Sequence, residues 1–408
     1  MYSPAALKVL VLTGRETYPI GKAATQRIRL VARALAEAGA SVSIGVGGLE
    51  LPGQAPNRSG EGLSHGVPFR HLMGRLETRR TRIGRLLDRI HVAVASAREL
   101  NRCAESERLD GLYFYTSVQQ PQLDRLLVRW AAGRHRVPVV LDLCEAPWPF
   151  SERCGVLKRQ ISPFWGADGA LVISEFLAEW GRTECKRIGR EVRMVRVPIL
   201  VDLEEHPADF GVPASRKVVF SGAAAYDQTI CFAVQAMAAV WDRYPDCELC
   251  ITGASAGTTQ YTKLEQQIVA LQPKGPVRLA GLLRRQDLLQ LYQQASALLI
   301  PLFADVRSIA RFPTKIGEYL ASGRPVVTNC VGEIPLFLHD GSNACVVAPG
   351  DPALYGARIL RLIENPTWAS ELGRSGWETA RQHFDFRGYG PRLLAFFQQL
   401  CVRRDPVW

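Results

Sequence analysis

The chain lacks long apolar runs: no stretch approaches the roughly 18 consecutive apolar residues that a membrane-spanning helix needs. The first residues also lack the basic and then apolar pattern of a secretory signal peptide. With 47% hydrophobic and 22% charged residues, the composition is that of an ordinary globular protein, which excludes wholesale disorder, collagen and coiled coil. We therefore expect a soluble, cytoplasmic protein.

Metal-binding spacings are also scarce. No Asp-x-Asp pair occurs, and the seven histidines are scattered without the spacing of metal ligands. The first absence argues against a site in which two carboxylates hold a metal ion against a diphosphate. Of the ten cysteines, only Cys247 and Cys250 have Cys-x-x-Cys spacing, and they fall inside a strand pattern without a second pair. We expect buried thiols, no metal and no cofactor.

The length of the chain, 408 residues, exceeds the roughly 250–300 residues that one hydrophobic core supports, so two domains are expected. Short apolar runs alternate with helical patterns, which is typical of parallel α/β sheets. "LKVLVLTG" (7–14) begins one such series and "KVVFSG" (217–222) begins a second. We predict an α/β protein with two doubly wound, Rossmann-like domains facing a central cleft, where ligands bind at the carboxyl ends of the strands.

The break between the two series sets the domain boundaries. Residues 206–216 are polar and contain prolines, which is typical of a linker. We therefore predict an N-terminal domain over residues 1–205 and a C-terminal domain over residues 217–386. The last helical pattern lies beyond the second series, and we expect residues 387–408 to pack back on the N-terminal domain.

The most informative stretch is "FPTKIGEYLASGRPVVTNCVGEIPLFLHDGSNACVVAPGDP" at residues 312–352. It resembles the nucleotide-sugar-binding region of glycosyltransferase family 4, in the variant where Pro-x-Lys precedes the helix that carries the family's glutamate. Two further blocks, "VISEFLAEW" and "VRVPILVD", precede it in the family's order. The resemblance implies the GT-B fold, with an acceptor-binding first domain and a nucleotide-sugar-binding second domain. It also implies retaining transfer of a sugar from a nucleoside diphosphate sugar to an acceptor hydroxyl.

Elementary helix chemistry agrees with the resemblance. Pro313 suits a helix start, so Thr314–Gly317 would present free backbone N–H groups to a diphosphate, and Lys315 adds a positive charge. The resemblance implies that Glu318 accepts hydrogen bonds from a ribose diol. Two structural alternatives stay open: Glu318 as a carboxylate that favours the helix dipole, and Lys315 as a solvated side chain. The predicted donor-binding residues are Gly222, Ala223, Thr314, Lys315, Ile316, Gly317, Glu318 and, in a loop that could equally be simple turn chemistry, Glu333.

The chain departs from the family pattern in two places. The family commonly has another glutamate eight positions before Glu318, where this chain has Ala310. The family also commonly carries an Arg and a Lys after the first strand of the second domain, whereas residues 221–230, "SGAAAYDQTI", contain no cation. We expect Lys315, with Arg311 or Arg307, to stabilise the leaving diphosphate. A catalytically silent scaffold that binds a nucleotide sugar is the alternative.

The acceptor side is less specific. The loop at residues 13–29 follows the first strand as the family's glycine-containing loop does, and Lys22 or Arg27 could face an acidic group. In "LDLCEAPWPF" (141–150), Cys144 stands where family members often place a histidine, and a neighbouring carboxylate could orient an acceptor hydroxyl. Ordinary loop packing is the alternative throughout. The predicted residues are Asp142 and Glu145 for catalysis, and Gly21, Lys22, Trp148 (with Phe150 beside it) and Glu175 for acceptor binding.

Positive charge is concentrated in one part of the chain, whose formal net charge is +11. The segment from Arg70 to Arg102 contains nine arginines against three acids, interleaved with apolar residues at helical spacing. One interpretation is a solvated helix face beside a core stripe. The other is a surface that docks on an anionic membrane. No recognised nucleic-acid-binding motif accompanies the charge, so no nucleic-acid partner is expected.

The resemblance implies a hexosyltransferase, and together with the basic segment it predicts a role in surface polysaccharide or glycolipid synthesis. Its partners would be a nucleotide-sugar donor and a saccharide or lipid-linked acceptor. Its location would be the cytoplasm, with the inner face of the plasma membrane as the docking surface. A GT-B epimerase or phosphorylase is a further alternative beside the silent scaffold.

Overall fold

The computed structural model describes residues 6–50, 57, 59–106, 108–115, 123–145, 162–211, 213 and 216–402. The chain divides into two units. Unit 1 comprises Met1–Leu200 together with Phe386–Trp408, and unit 2 comprises Val201–Asp385. Each unit contains a sheet of mainly parallel strands.

The sheet of unit 1 has eight strands among the described residues. They are β1 (Lys8–Leu12), β2 (Ser41–Val46), β3 (Glu61–Ser64), β4 (Val67–His71), β5 (Gly111–Phe114), β6 (Val139–Leu143), β7 (Gly169–Val172) and β8 (Arg193–Arg196). Their order is β3-β4-β2-β1-β5-β6-β7-β8, and every pair is parallel except β3 with β4. β5, β6 and β7 are buried along their whole length, as expected when helices cover both faces of a parallel sheet.

The helices of unit 1 that precede the crossing to unit 2 are α1 (Ala23–Glu37), α2 (Arg82–Ser106), α3 (Leu123–Arg134) and α4 (Glu175–Arg187). Successive side chains of a strand point to opposite faces, and β1 supplies two apolar clusters in this way. Val9 and Val11 pack in one cluster, whereas Leu10 and Leu12 pack in the other. No helix in the described ranges is long and apolar enough to cross a membrane.

The sheet of unit 2 has six strands within the residues that the structure describes. They are β9 (Lys217–Ser221), β10 (Glu248–Thr252), β11 (Val277–Gly281), β12 (Ala297–Ile300), β13 (Val326–Asn329) and β14 (Cys345–Val347). The strands are all parallel and their order is β11-β10-β9-β12-β13-β14. This is the doubly wound Rossmann order, in which the direction of the chain across the sheet reverses between β9 and β12. Cys247 and Cys250 are buried, free thiols beside and within β10, as predicted.

Helices cover both faces of this sheet. They are α5 (Asp227–Ala236), α6 (Ala238–Arg243), α7 (Thr259–Ala270), α8 (Arg285–Gln293), α9 (Val306–Ala310), α10 (Lys315–Ala321), α11 (Ile334–Phe337), α12 (Pro352–Glu364) and α13 (Pro366–His383). One apolar cluster of this unit joins β9, β10 and β12 to α5 and α12.

The last helix, α14 (Gly390–Val402), belongs to unit 1. Its Phe397 ring packs on Gly111 at the start of β5, and its Phe396 ring packs on Gly169 at the start of β7. In both places the glycine leaves no Cβ, so the aromatic ring lies directly against the backbone of the strand. The C-terminal helix therefore completes an apolar cluster of the first sheet.

The boundary between the units differs from the predicted linker at residues 206–216, because described residues of that segment are packed on unit 2. The Arg324 guanidinium donates to the Asp209 carboxylate at 2.8 Å. The Phe210 ring meets the Trp377 ring edge-on, with 6.1 Å between centroids. An ion pair and an aromatic contact fix this segment, so unit 2 already begins at Val201.

Close packing between α5 and α12 depends on Gly356. A Cβ at this position would lie 2.1 Å from the carbonyl oxygen of Ala236. We expect Gly356→Ala to lower the free energy of unfolding by about 1–3 kcal/mol, because the helices must separate to admit a methyl group. Urea unfolding followed by circular dichroism measures the change.

The control for this prediction is Gly133→Ala on α3. Gly133 is exposed, and a Cβ at this position would have no other atom within 4 Å. Alanine there is expected to raise the free energy of unfolding by up to about 1 kcal/mol through helix propensity. Equal effects of the two substitutions would contradict the packing explanation.

Candidate functional site

In unit 2, charged side chains collect near the point where the strand order reverses. Ser221 ends β9, and the first residues of α8 and α10 are Arg285 and Lys315. Ligands of doubly wound sheets bind at the carboxyl ends of the strands beside such a reversal. The candidate site is therefore built from the loop after β9 and from the starts of α8 and α10.

Glu318 is the centre of this cluster, and its side chain is buried, with only 8% of the residue exposed. Its Oε1 atom accepts a hydrogen bond from Arg285 Nη1 at 2.6 Å, and its Oε2 atom accepts one from Lys315 Nζ at 2.9 Å. Burial alone would raise the pKa of Glu318, but the neighbouring cations, Lys315 first, hold this pKa well below its usual range. The carboxylate is therefore ionised at neutral pH and paired on both oxygens.

Arg285 extends the cluster to the beginning of unit 2. Its Nη2 atom lies 3.1 Å from Nε2 of His206 and 3.6 Å from a carboxylate oxygen of Glu205. Arginine has no acceptor, so His206 Nε2 must accept this hydrogen bond and the ring must be neutral. Burial agrees with this assignment, because it lowers the pKa of His206 to about 4.

The sequence analysis did not identify Arg285. One indication was present: a cation in the first turn of a helix is unfavourable for the helix dipole, and α8 begins with an arginine. Such a residue needs a compensating anion. The structure supplies Glu318, from a helix that lies farther along the chain.

An aromatic pair connects α8 and α10. The rings of Tyr292 and Tyr319 meet edge-on, with 4.9 Å between centroids. The Tyr292 hydroxyl donates to Ser221 Oγ at 3.0 Å, which ties the pair to the end of β9. The Lys315 ammonium lies 5.9 Å from the Tyr292 ring centroid. The two helices and the end of β9 are thus held in one arrangement.

The loop after β9 contains no cation of its own, but two arginines reach it from elsewhere. Arg311 Nη1 donates to the Tyr226 hydroxyl at 3.1 Å, and its guanidinium lies 5.1 Å from the ring centroid. The Arg307 guanidinium lies 5.0 Å from the same centroid. The structure thus brings Arg307 and Arg311 to the loop where the family commonly has an Arg and a Lys.

The remaining predicted donor residues are arranged differently from the expectation in one respect. Helix α10 begins at Lys315, after Thr314, and has seven residues. The N–H group of Ile316 donates to the Pro313 carbonyl at 3.1 Å. The expectation that Thr314–Gly317 all offer free N–H groups is therefore wrong, and side-chain cations carry more of the positive charge.

Four further predicted residues have clear positions in unit 2. Gly222 and Ala223 follow β9 directly, in the loop that leads to Tyr226. Glu333 is buried and precedes the short helix α11, and its carbonyl accepts a hydrogen bond from the Leu336 N–H group at 3.1 Å. Gly317 is buried within α10.

In unit 1, the predicted catalytic residue Asp142 lies in a buried ion pair at the end of β6. Its Oδ2 atom accepts hydrogen bonds from Arg27 Nε at 2.7 Å and from the Tyr113 hydroxyl. Its Oδ1 atom accepts one from the Cys144 thiol at 2.9 Å. Both carboxylate oxygens are thus engaged by side chains of the protein.

Arg27 also donates to two backbone carbonyls, those of Pro198 at 2.7 Å and Val197 at 3.0 Å. Arg27 does face an acidic group, but that group is Asp142 of the same unit and not a group of an acceptor. The network joins α1, β6 and the segment after β8. This geometry gives Asp142 a structural role and argues against its predicted role in catalysis.

Other predicted acceptor residues lie on loops or helix starts. Glu145 is exposed, and Lys22 directly precedes α1. Both lie near the carboxyl of Glu16, a residue that the sequence analysis did not identify. Burial raises the pKa of Glu16, the Lys22 ammonium lowers it, and the Glu145 carboxylate raises it further. Gly21 fits a tight loop, since a Cβ there would lie 2.1 Å from the Thr25 hydroxyl oxygen.

The two remaining acceptor-side predictions have different outcomes. Glu175 lies in the first turn of α4 and pairs with Arg182 at 2.9 Å on the surface. Trp148 and Phe150 lie outside the described residues.

In the part of the chain that the structure describes, no group of three or more His, Cys, Asp or Glu side chains could hold a metal ion. The expectation of a metal-free site stays a prediction. The positive charge available in the unit 2 cluster comes from Lys315, Arg285, Arg307 and Arg311.

Solved structures share this architecture over nearly the whole chain. Sucrose-phosphate synthase from Thermosynechococcus elongatus superimposes with a TM-score of 0.69 at 15% identity, covering 97% of this chain and 100% of that one. HepE of Anabaena in complex with UDP-glucose superimposes with a TM-score of 0.65 at 16% identity, covering 96% and 100%. The chain therefore has the two-domain α/β GT-B fold.

Sequence comparison adds a family match within unit 2. Residues 215–365 match the family model described as Glycosyl transferases group 1. The D-inositol 3-phosphate glycosyltransferase of Frankia alni is 30% identical over 146 residues, which cover 32% of this chain and 35% of that protein. The aligned regions span between about a third and a half of the length of the curated relatives that the chain matches.

The Arg27–Asp142 pair leads to a stability prediction. Asp142→Asn leaves the Arg27 guanidinium buried without a counter-charge, so we expect a loss of about 3–5 kcal/mol in the free energy of unfolding. Urea unfolding measures the loss. The control is Glu145→Gln, where an exposed side chain should change stability by less than about 0.5 kcal/mol. Unchanged stability of D142N would contradict the structural role.

Proposed function

We propose that the protein is a retaining glycosyltransferase that moves a hexose from a nucleoside diphosphate sugar to an acceptor hydroxyl. The observation that carries this proposal is the Glu318–Lys315 pair at the start of α10. It lies in a Pro-x-Lys segment inside the region that matches the group 1 family model. The name of the Frankia relative and the UDP-glucose in the HepE structure agree with sugar transfer from a nucleotide donor.

The roles of the donor residues follow from their charge and position. Glu318 has unshared lone pairs on both carboxylate oxygens and would accept hydrogen bonds from a ribose diol. Lys315, half-exposed at the helix start, would contact the diphosphate. Donation by Lys315 stabilises the negative charge that develops on the leaving diphosphate while the sugar becomes oxocarbenium-like.

Arg311 and Arg307 would supply the diphosphate cations that the loop after β9 lacks. Tyr226 holds both guanidinium groups beside this loop. This arrangement favours an active enzyme over the alternative of a silent nucleotide-sugar scaffold, because positive charge is present where a diphosphate would lie. We propose that Gly222, Ala223 and Glu333 line the same donor site.

The donor proposal predicts different effects on two probes. Glu318→Gln should weaken binding of a nucleoside diphosphate about 10- to 100-fold, because the amide is a poorer acceptor for the ribose hydroxyls. Binding of inorganic pyrophosphate should be retained, since it has no ribose. Isothermal calorimetry with UDP, GDP, ADP and pyrophosphate measures both, with Glu371→Gln on α13 as the exposed control. Equal loss for both probes would contradict the ribose role.

Activity separates the enzyme from the silent scaffold. We expect release of nucleoside diphosphate from a donor panel with the wild-type chain, and a roughly 100-fold lower kcat/KM in Arg311→Gln. Arg284→Gln is the control, because Arg284 is exposed and pairs with Asp287. Tight donor binding without release from any donor and acceptor would favour the scaffold.

The acceptor is proposed to be a saccharide or a lipid-linked glycan in surface polysaccharide or glycolipid synthesis. The basic helix α2 supports the lipid-linked case. Ile83, Leu86, Leu87 and Ile90 occupy one helical stripe of α2, and all four are exposed, Ile83 to 73%. An apolar stripe on the solvent side of a helix is typical of interfacial membrane binding.

Arginines flank this stripe. Arg82, Arg85 and Arg89 are exposed and, among the described residues, form no ion pair with a carboxylate. Two of the three acids of this helix, Asp88 and Glu99, are buried, and Asp88 pairs with Arg75. The stripe and its exposed arginines, of which Arg85 donates to the Arg80 carbonyl at 3.0 Å, match an anionic lipid surface. We therefore propose a cytoplasmic protein that docks on the inner face of the plasma membrane through α2.

Charge reversal tests the membrane proposal. The triple variant Arg82→Glu, Arg85→Glu, Arg89→Glu should lose binding to vesicles containing phosphatidylglycerol, since each basic residue contributes about 1 kcal/mol near an anionic surface. Sedimentation with vesicles measures the bound fraction. Reversal of Arg182, Lys186 and Arg187, exposed on α4, is the matched control. Undiminished binding of the α2 triple variant would refute docking through this face.

A further inference from the structure

The two cations that pair with Glu318 are held in different ways. Arg285 is fixed by three partners at once: the Glu318 carboxylate, the His206 ring and the Glu205 carboxylate. Among the residues that the structure describes, Lys315 donates one hydrogen bond, to Glu318, and its side chain is 30% exposed. A guanidinium in several hydrogen bonds is a rigid partner, whereas a lysine ammonium is a mobile point charge.

This difference matters because two anions, the Glu318 carboxylate and the diphosphate of a donor, compete for the Lys315 ammonium. In the structure its ammonium is bound to Glu318 Oε2. A diphosphate competes with this oxygen for the three N–H donors of the ammonium, and to the extent that it draws Lys315 away, the carboxylate is buried with one counter-charge fewer. A buried carboxylate without a partner is strongly unfavourable. Arg285, on the other oxygen, is the group that keeps Glu318 paired during this exchange.

We propose that Arg285 is the resident counter-ion of Glu318, a positioning residue that allows Lys315 to exchange the carboxylate for the diphosphate of the donor. This inference rests on the proposed function. The exchange also frees Glu318 Oε2 for a ribose hydroxyl. On donor binding, a ribose hydroxyl thus takes the place of the Lys315 ammonium as the hydrogen-bond donor to Glu318 Oε2. No covalent bond forms or breaks.

The surroundings of Glu318 define the expected pH dependence. The groups that face it are Lys315, Arg285 and His206, with Tyr292 and Tyr319 as its aromatic neighbours. Burial raises the pKa of Glu318 and the cations lower it. Removal of Arg285 therefore raises this pKa. In such a variant, Glu318 takes up a proton more readily than in the wild type as the pH falls, and the neutral side chain then releases Lys315.

Inorganic pyrophosphate is the probe for the exchange, because it needs Lys315 and lacks a ribose. Arg285→Gln should weaken pyrophosphate binding about tenfold at pH 7.5, since Lys315 becomes the main counter-charge of Glu318 and stays on it. Arg285→Lys should restore most of the affinity. Arg284→Gln, on the preceding and exposed residue, should bind like the wild type. Calorimetry gives each Kd.

A double variant separates this role from a merely structural one. In Arg285→Gln/Glu318→Gln there is no carboxylate to hold Lys315, so pyrophosphate should bind as it does to Glu318→Gln alone. The deficit of Arg285→Gln should also shrink between pH 7.5 and pH 5.5. The same pH series in His206→Gln/Arg285→Gln removes protonation of His206 as a source of this change.

Each outcome decides the question. Wild-type affinity in Arg285→Gln overturns the inference and leaves the proposed function intact. If the double variant binds pyrophosphate as weakly as Arg285→Gln does, and Arg285→Lys does not restore the affinity, the loss is structural and the inference is also overturned. If the wild-type chain binds neither pyrophosphate nor any of UDP, GDP and ADP, the proposed function itself fails, and the exchange fails with it.

Discussion

The candidate site depends on one constraint: a buried carboxylate stays ionised only when nearby positive charge or several hydrogen-bond donors offset its loss of hydration. For Glu318 that charge comes from the first residues of two helices, α8 and α10. The requirement holds the two helix starts together at the end of β9, and the Tyr292–Tyr319 contact fixes the same pair of elements. Charge pairing and aromatic packing therefore assemble this part of unit 2 together.

Unit 1 also contains a buried, ion-paired carboxylate, but its surroundings differ from those of Glu318. Asp142 is also buried and paired with an arginine, but its oxygens are engaged by Arg27, Tyr113 and Cys144. The Arg27 guanidinium is buried and also donates to two backbone carbonyls. A closed pair of this kind stabilises the fold. The pair in unit 2 includes a half-exposed lysine and can therefore respond to a ligand.

The alternation of strands and helices could be predicted from the sequence because hydrophobic periodicity is local. Glu318 and Lys315 could be picked out as candidate site residues because they lie in one short motif. Arg285 and the contact between Arg311 and Tyr226 could not, since each joins elements that are distant along the chain. Asp142 shows the converse error. A carboxylate at a strand end suggested chemistry, and only the fold shows that Arg27 from α1 already neutralises it. The sequence also did not show that Asp209 and Phe210, in the predicted linker, pack on unit 2. Their partners, Arg324 after α10 and Trp377 on α13, are distant along the chain.

The position of α14 has a consequence for biosynthesis. Unit 2 is an insertion whose two ends meet, since the Val201 N–H group donates to the Phe384 carbonyl at 2.8 Å and a β-bridge joins Val201 to Asp385. The Phe396 and Phe397 rings that complete the core of unit 1 follow this insertion in the chain. The first unit to begin on the ribosome is thus the last to finish. Its sheet must wait, with those strand starts uncovered, until unit 2 and α14 have been translated.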